Sequence, residues 1–342
     1  MSQDIRGLFE RSISRRHAIA IAGAGALLGT RVVSAGAQAT PEASFDLGLT
    51  PGVIPTIFGD ITIEGTPERI VTLTDGALDA VISIGLRPTG ATWSSNGESA
   101  AEYLVHSVAD DLTYVGGGGE LDMEAVVALK PDIILSDRYL MEDQYDSLSK
   151  VAPVICPNEI EVSGADALQQ WEYEQLVWGH ALGRGDDAVT AITALRAAAA
   201  AAQSGLSEHV GESVVVFRPQ VDGPIIMSHN WITGVILTWA GFRGTAFTEE
   251  MPPPHGGQGS FEQMAEIDAD WLFLAARNQE MRDEVENYEA KPVYQELSAV
   301  QSGQAVLVSG DLWSGATGVQ AGYAMLADIE RIIGGGTATP TA

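Results

Sequence analysis

With 342 residues the chain is longer than one ordinary hydrophobic core, so two lobes are the default expectation. A hydrophobic fraction of 45% against 19% charged residues excludes a disordered chain. The formal net charge of -28 excludes nucleic acid as a partner, because displacing counterions from phosphates needs a basic surface and Lys130, Lys150 and Lys291 are the only lysines.

In chain order, residues 1–39 carry the parts of an export signal: Arg6, Arg11, Arg15 and Arg16, an apolar run from Ala18 to Leu28, and the small-residue sites Ala35-Gly36-Ala37 and Ala37-Gln38-Ala39. Ser14-Arg15-Arg16 resembles a twin-arginine signal, with Ala18 where a bulky apolar residue is usual. An exported, soluble mature protein is expected, because the apolar run is too short to span a bilayer comfortably. Gly23-Ala24-Gly25 followed by Gly29 has the look of a nucleotide fingerprint, but its spacing is wrong and no strand precedes it.

An N-terminal lobe is expected over 40–165. Arg69 to Leu73 reads as a strand ending in the turn Thr74-Asp75-Gly76, with a helix from Ala77 to Ile84. Gly116 to Gly119 is either a flexible turn or a place where backbone approaches a ligand. Met123 to Asp132, an apolar residue and a Glu opening a short helical pattern, leads into the buried-strand run Ile133 to Leu135. Cys156, the single cysteine, excludes an internal disulfide and a multi-cysteine metal site.

A helical connection is expected over 166–206, broken only at Gly183-Arg184-Gly185, with Asp186 as a cap and an Ala-rich run from Ala188 to Ala202. The C-terminal lobe, 207–335, repeats the first. Ser213 to Phe217 reads as a strand leading through Asp222-Gly223 to a helix near Gly234 to Trp239. Phe261 to Asp270 then repeats the pattern of Met123 to Asp132, an apolar residue and a Glu opening a short helical stretch with an Asp eight positions after the Glu, and Trp271 to Leu274 follows as a buried strand. A flexible tail is expected over 336–342. Each half reads as strands alternating with helices, so the fold class is α/β, with parallel sheets in two lobes.

Four segments carry a family resemblance: Pro67 to Leu73, Ile84 to Gly90, Leu129 to Ile134, and Ile267-Asp268-Ala269-Asp270. In this order they resemble the iron-siderophore, haem and vitamin B12 class of periplasmic binding proteins. The resemblance implies two α/β lobes joined by one long rigid helix, a ligand gripped in the cleft between them, and delivery to an ABC-type permease in the membrane. It also implies one docking carboxylate on each lobe. The matching positions are Glu124 and Glu262, which the internal repeat singles out as well.

Ligands of open parallel sheets bind beyond the carboxyl ends of the strands, and Arg138, Arg218 and Arg277 fall there. Arg138 and Arg277 sit six and seven residues after Asp132 and Asp270, so the halves are expected to offer nearly equivalent guanidinium groups. Such forks suit carboxylate or catecholate oxygens. Trp93, Tyr139, His229, Trp231 and Trp313 occupy similar loop positions and are candidates for covering a chelate's apolar body or, for His229, for reaching its metal.

The expected ligand is an Fe(III)-siderophore with no intrinsic cofactor, held by a monomer. Haem or cobalamin on the same fold, or a surface sensor without transport, are the alternatives. An enzyme is not expected: no G-x-S-x-G elbow or P-loop occurs, and His255-Gly256-Gly257 has no nucleophile elbow to serve. A bare-metal site is disfavoured because no His, Asp or Glu spacing suits one.

Overall fold

Runs of apolar residues without polar alternation belong to strands covered on both faces. In the computed structural model, which describes residues 45, 47–50, 52–94, 99–108, 110–117 and 120–335, they form two separate sheets. The expected export signal and tail, and Gly118 and Gly119, lie outside the described residues. The described chain falls within one unit, Phe45–Ala342.

The hairpin β1 (Val53–Thr56) and β2 (Gly59–Thr62) precedes the first sheet. That sheet contains β3 (Ile70–Thr72), β4 (Gly90–Trp93), β5 (Thr113–Gly117), β6 (Glu120–Leu121), β7 (Ile133–Leu135) and β8 (Val154–Ile155). Their spatial order is β6, β5, β4, β3, β7, β8, and every pairing is parallel except β5 with β6. Helices α1 (Asp75–Ser83), α2 (Glu102–Val105), α3 (Met123–Leu129) and α4 (Glu142–Leu148) connect the strands. The hydroxyl of Thr74 caps α1 by accepting from the Ala77 N–H, as a residue of this type does at a helix start.

Two helices lead to the second sheet, α5 (Gln170–Ala181) and α6 (Gly185–Gly205). In the 21-residue α6, Ala188, Ile192, Leu195, Ala199 and Ala202 are buried. Spacings of three and four residues put them on one stripe, which faces α5, α7 and α14.

The second sheet contains β9 (Val214–Arg218), β10 (Ile225–Met227), β11 (His255–Gln258), β12 (Trp271–Ala276) and β13 (Ala305–Ser309), in the order β11, β10, β9, β12, β13. Its helices are α7 (Ile232–Trp239), α8 (Ala246–Glu249), α9 (Phe261–Glu266), α10 (Gln279–Glu289), α11 (Pro292–Gln295), α12 (Ser298–Gln301), α13 (Gly310–Ser314) and α14 (Val319–Ile333). Strands β9, β12 and β13 are parallel, whereas β10 and β11 return antiparallel. The sequence pattern predicts a helix directly after β9. The connection to the next strand is too short for a parallel crossover, so the chain turns back as β10 before α7 begins.

The duplicated aspartates do the same work in both halves. Asp132, just before β7, accepts from the backbone N–H groups of Glu68 and Arg69 at the head of β3. Asp270, just before β12, accepts from the Ser213 N–H at 2.7 Å at the head of β9. Each ties the start of one central strand to its parallel neighbour, where sheet hydrogen bonds run out.

A single core runs from the first sheet through the helices to the second, from Ile70 and Ile133 through Ile192 and Leu195 to Phe273 and Ile329. At its edge, α1 meets the N-terminus of α14. The buried carboxylate of Asp79 accepts from the N–H groups of Gln320 at 2.9 Å and Ala321 at 2.8 Å. Gly318 has φ +120°, and a Cβ there would lie 2.4 Å from the Asp79 carboxyl carbon, so only glycine fits this seam.

Candidate functional site

Strands β3, β4, β5 and β7 all end on one side of the first sheet, and parallel sheets collect ligands at those ends. Leu73, Thr74 and Asp75 follow β3, Trp93 closes β4, Gly117 closes β5, and Ser136, Asp137 and Tyr139 follow β7. Together they line a cavity of about 500 Å³. Trp93 keeps its place because Gly117 lacks a side chain: a Cβ there would lie 2.3 Å from the indole.

The second sheet carries two arginines at its strand ends. Arg218 ends β9, and Arg277 follows β12. Burial lowers the pKa of Arg218, and the neighbouring Arg277 guanidinium lowers it further. His255, at the head of β11, is pushed down by burial and then by the same two arginines. Arg277 donates through Nε to Ser314 Oγ at 3.1 Å and through Nη2 to the Ser314 carbonyl at 2.7 Å. Arg218 Nε is closed off from solvent and meets no acceptor. A buried guanidinium donor without an acceptor is costly.

A second cavity of about 340 Å³ opens between the two halves. Arg138, Glu159 and Glu174 line it from one side, and Asn230, Trp231, Pro253 and Thr317 from the other. Arg138 is not the counterpart of Arg277 that the repeat predicts. It pairs with Glu174 at 3.4 Å and Glu159 at 3.6 Å, and its guanidinium lies 4.5 Å over the Tyr139 ring. Burial pushes Glu174 up to about 7, against the opposing pull of Gln170 and Arg138. Arg138 therefore has its contacts among neighbours of its own half. Trp231 lines the second cavity, with its Nε1 buried and unbonded.

Two predicted ligand contacts have partners within the protein. Trp313 is 0% exposed; it stacks on Phe273 at 4.4 Å and donates from Nε1 to Asp328 at 2.9 Å. A five-residue helix is too short for periodicity to tell its inner face from its outer one. His229 Nε2 lies 2.8 Å from Thr238 Oγ1, and burial pushes the ring down to about 4. A Cβ on Gly244 would lie 2.7 Å from that ring, so the imidazole is packed against backbone on one side while Nε2 is engaged by Thr238.

The sequence pattern missed Asp75, Asp137 and Glu120 as cavity residues. Their only signal is position at strand ends. Asp75 is pushed up to about 6 by burial and then by Asp311 on α13. Glu124 and Glu262 lie in the first turns of α3 and α9, both exposed, beyond N-caps made by Asp122 and Ser260. Backbone N–H donation at its own position and the Ser260 hydroxyl hold Glu262 below the usual carboxylate range. Among the described residues no group of three or more His, Cys, Asp or Glu side chains is arranged to hold a metal ion, and no described helix is long and apolar enough to cross a membrane.

Residues 70–312 match the family model described as periplasmic binding protein. The chain is 26% identical over 280 residues to the probable siderophore-binding lipoprotein YfiY of Bacillus subtilis, covering 78% of this chain and 83% of that one. It is 26% identical over 272 residues to the Fe(3+)-citrate-binding protein YfmC of the same organism, covering 79% and 82%. Among solved structures it resembles Staphylococcus aureus SirA complexed with staphyloferrin B, with a TM-score of 0.71 at 22% identity over 82% of this chain and 98% of that one. With two α/β halves, each built on its own sheet, and this match over most of its length, the chain belongs to the periplasmic binding protein family.

Proposed function

We propose that this protein is the extracytoplasmic binding component of an ABC importer. As a monomer it captures a ferric siderophore between its two sheets and delivers it to the permease without converting it. The observation that carries the reading is the pair Arg218 and Arg277, half-buried positive charges of which one has a donor without an acceptor, in a chain of net charge -28. Relatives named as siderophore-binding and Fe(3+)-citrate-binding support it, and relatives named as lipoprotein or periplasmic support an extracytoplasmic location. Iron is cargo here, carried inside its chelate, so the cleft needs to supply charge and surface and no metal ligand.

The test is a titration of purified protein with ferric dicitrate, a ferric catecholate, haem and cobalamin, followed by tryptophan fluorescence. At least one ferric chelate is expected to bind with Kd of about 1 μM or tighter. A response to haem or cobalamin alone would reject the proposal.

Glu124 and Glu262 are proposed to dock the permease, one from each lobe. Neither lines the cavities. Replacing both with Ala is expected to leave chelate binding intact and to slow uptake by cells about tenfold, since the pair would set the electrostatic fit between the partners. Uptake at the wild-type rate would remove the docking role.

A further inference from the structure

Most indole N–H groups of this protein find an acceptor close at hand: Trp178 donates to the Ile155 carbonyl, Trp239 to the Ala165 carbonyl, Trp271 to Glu212 and Trp313 to Asp328. Trp171 and Trp231 do not. Each has Nε1 closed off from solvent with no acceptor among the described residues, and both line the same cavity of about 340 Å³. Trp171 lies in the first turn of α5 and is 6% exposed, and Trp231 is the N-cap residue of α7. A buried donor without an acceptor is rare and costly. Two at one cavity, brought there by separate elements, point to a ligand that accepts.

The charged groups of the cavity lean the same way. Arg138 has five N–H groups to place, yet it comes no nearer than 3.4 Å to Glu174 and 3.6 Å to Glu159, long for charged pairs, which close to about 2.7 to 2.9 Å. Glu174 Oε1 also accepts from Gln170 Nε2 at 3.0 Å. Burial raises Glu174 to about 7 against the pull of Gln170 and Arg138, with Asp137 adding to the rise, so near neutral pH this carboxyl is about half protonated and then donates as well. Glu159, the other acidic residue of the lining, has a side chain 72% exposed, and water and salt screen its charge. The lining from the α7 side, Asn230, Trp231 and Ile232, holds no titratable group.

We propose that this cavity binds a small organic carboxylate: its oxygens supply the acceptor that Trp171 and Trp231 lack and a counter-charge for Arg138, and its apolar body lies against Ile160, Val162, Ile232 and Pro253. A carboxylate only accepts, which matches a cavity whose buried unpaired groups donate. The anion needs Glu174 neutral, so binding takes up a proton there and weakens as pH rises through the Glu174 pKa. Neither Arg218 nor Arg277 lines this cavity, and the inference goes beyond the ferric-chelate reading without resting on it.

Phenylacetate and its uncharged counterpart phenylacetamide test this on the purified protein, isotopically labelled at the indole nitrogens for magnetic resonance. The resonances assigned to the two indoles with Trp171→Phe and Trp231→Phe are expected to shift saturably with phenylacetate, with Kd of about 1 mM or tighter. Phenylacetamide is expected to bind about tenfold more weakly, since it brings no charge to Arg138. Phenylacetate affinity is expected to fall about tenfold between about pH 6 and about pH 8, following the protonated fraction of Glu174. Glu174→Gln, which is neutral and of the same shape, is expected to remove that fall.

The carboxylate belongs either to a free acid or to an uncoordinated arm of a ferric chelate, and the same titration in the presence of a bound chelate separates them: phenylacetate binds alongside it in the first case and competes with it in the second. Two indole resonances that stay fixed with phenylacetate in large excess, equal binding of acid and amide, or an affinity independent of pH overturns the inference. Each of these outcomes leaves the ferric-chelate function standing.

Discussion

Replacing both Arg218 and Arg277 with Ala is expected to weaken the ferric chelate that binds the wild-type protein by about 3 to 6 kcal/mol, two charge-assisted hydrogen-bonding groups at roughly 1.5 to 3 kcal/mol each. That is about two to four orders of magnitude in Kd, readable by calorimetry. The two positions differ in what else they do. Arg277 is tied to Ser314 and sits against Gly310 and Gly315, so its loss also disturbs the α13 region. Arg218 has a buried Nε with no acceptor and repels Arg277. Its removal alone is therefore expected to raise the melting temperature of the ligand-free protein while weakening binding, as happens where a site stores an unfavourable charge for its ligand. A double variant that binds with wild-type affinity would show that the positive wall is not the ligand's anchor.

The second large effect lies at the seam between α1 and α14. Asp79→Ala is expected to cost about 2 to 4 kcal/mol of unfolding free energy, because the Gln320 and Ala321 N–H groups lose a buried acceptor and α14 loses the carboxylate at its start. Chemical denaturation would measure it. The group also makes stability depend on pH. Burial pushes its pKa up to about 7, outweighing the hydrogen bonds from Gln320, Ala321 and Val319 that favour the charged form, with Asp75 adding to the rise. A carboxyl with a folded pKa above its ordinary 3.8 adds stability that is complete below that value and is lost as pH rises through about 7. Asp79→Asn keeps one acceptor oxygen and removes the proton, so this component of the pH dependence should disappear. An unchanged pH profile in that variant would assign the dependence elsewhere.

The sheets were legible because their strands are continuous apolar runs, such as Val214 to Phe217 and Ile133 to Leu135, and because the same pattern occurs twice. The repeat marked Asp132 and Asp270 before their role in joining strand heads could be seen. The arginines at strand ends were legible as positions, since a strand's end and its side-chain type are both local facts. What the partners do with them was not. The pairing of Arg138 depends on Glu174, 36 residues further on and on another element. The anchoring of Asp79 depends on backbone groups more than 200 residues away, and a sequence pattern carries no trace of them. Trp313 turned inward for a local reason: short elements give no period from which to separate an inward face from an outward one. The acidic cavity was missed because aspartates after strands read as turn residues, whereas Asp75 opens α1.

The central claim is that a ferric chelate sits between the two walls, and the iron itself can report it. In a crystal of the complex, an anomalous difference map collected at the iron absorption edge should place a single strong peak between Arg218 and Arg277 on one side and Trp93 and Asp75 on the other. A peak outside that space, or iron bound directly by protein side chains with no chelate density around it, would contradict the account.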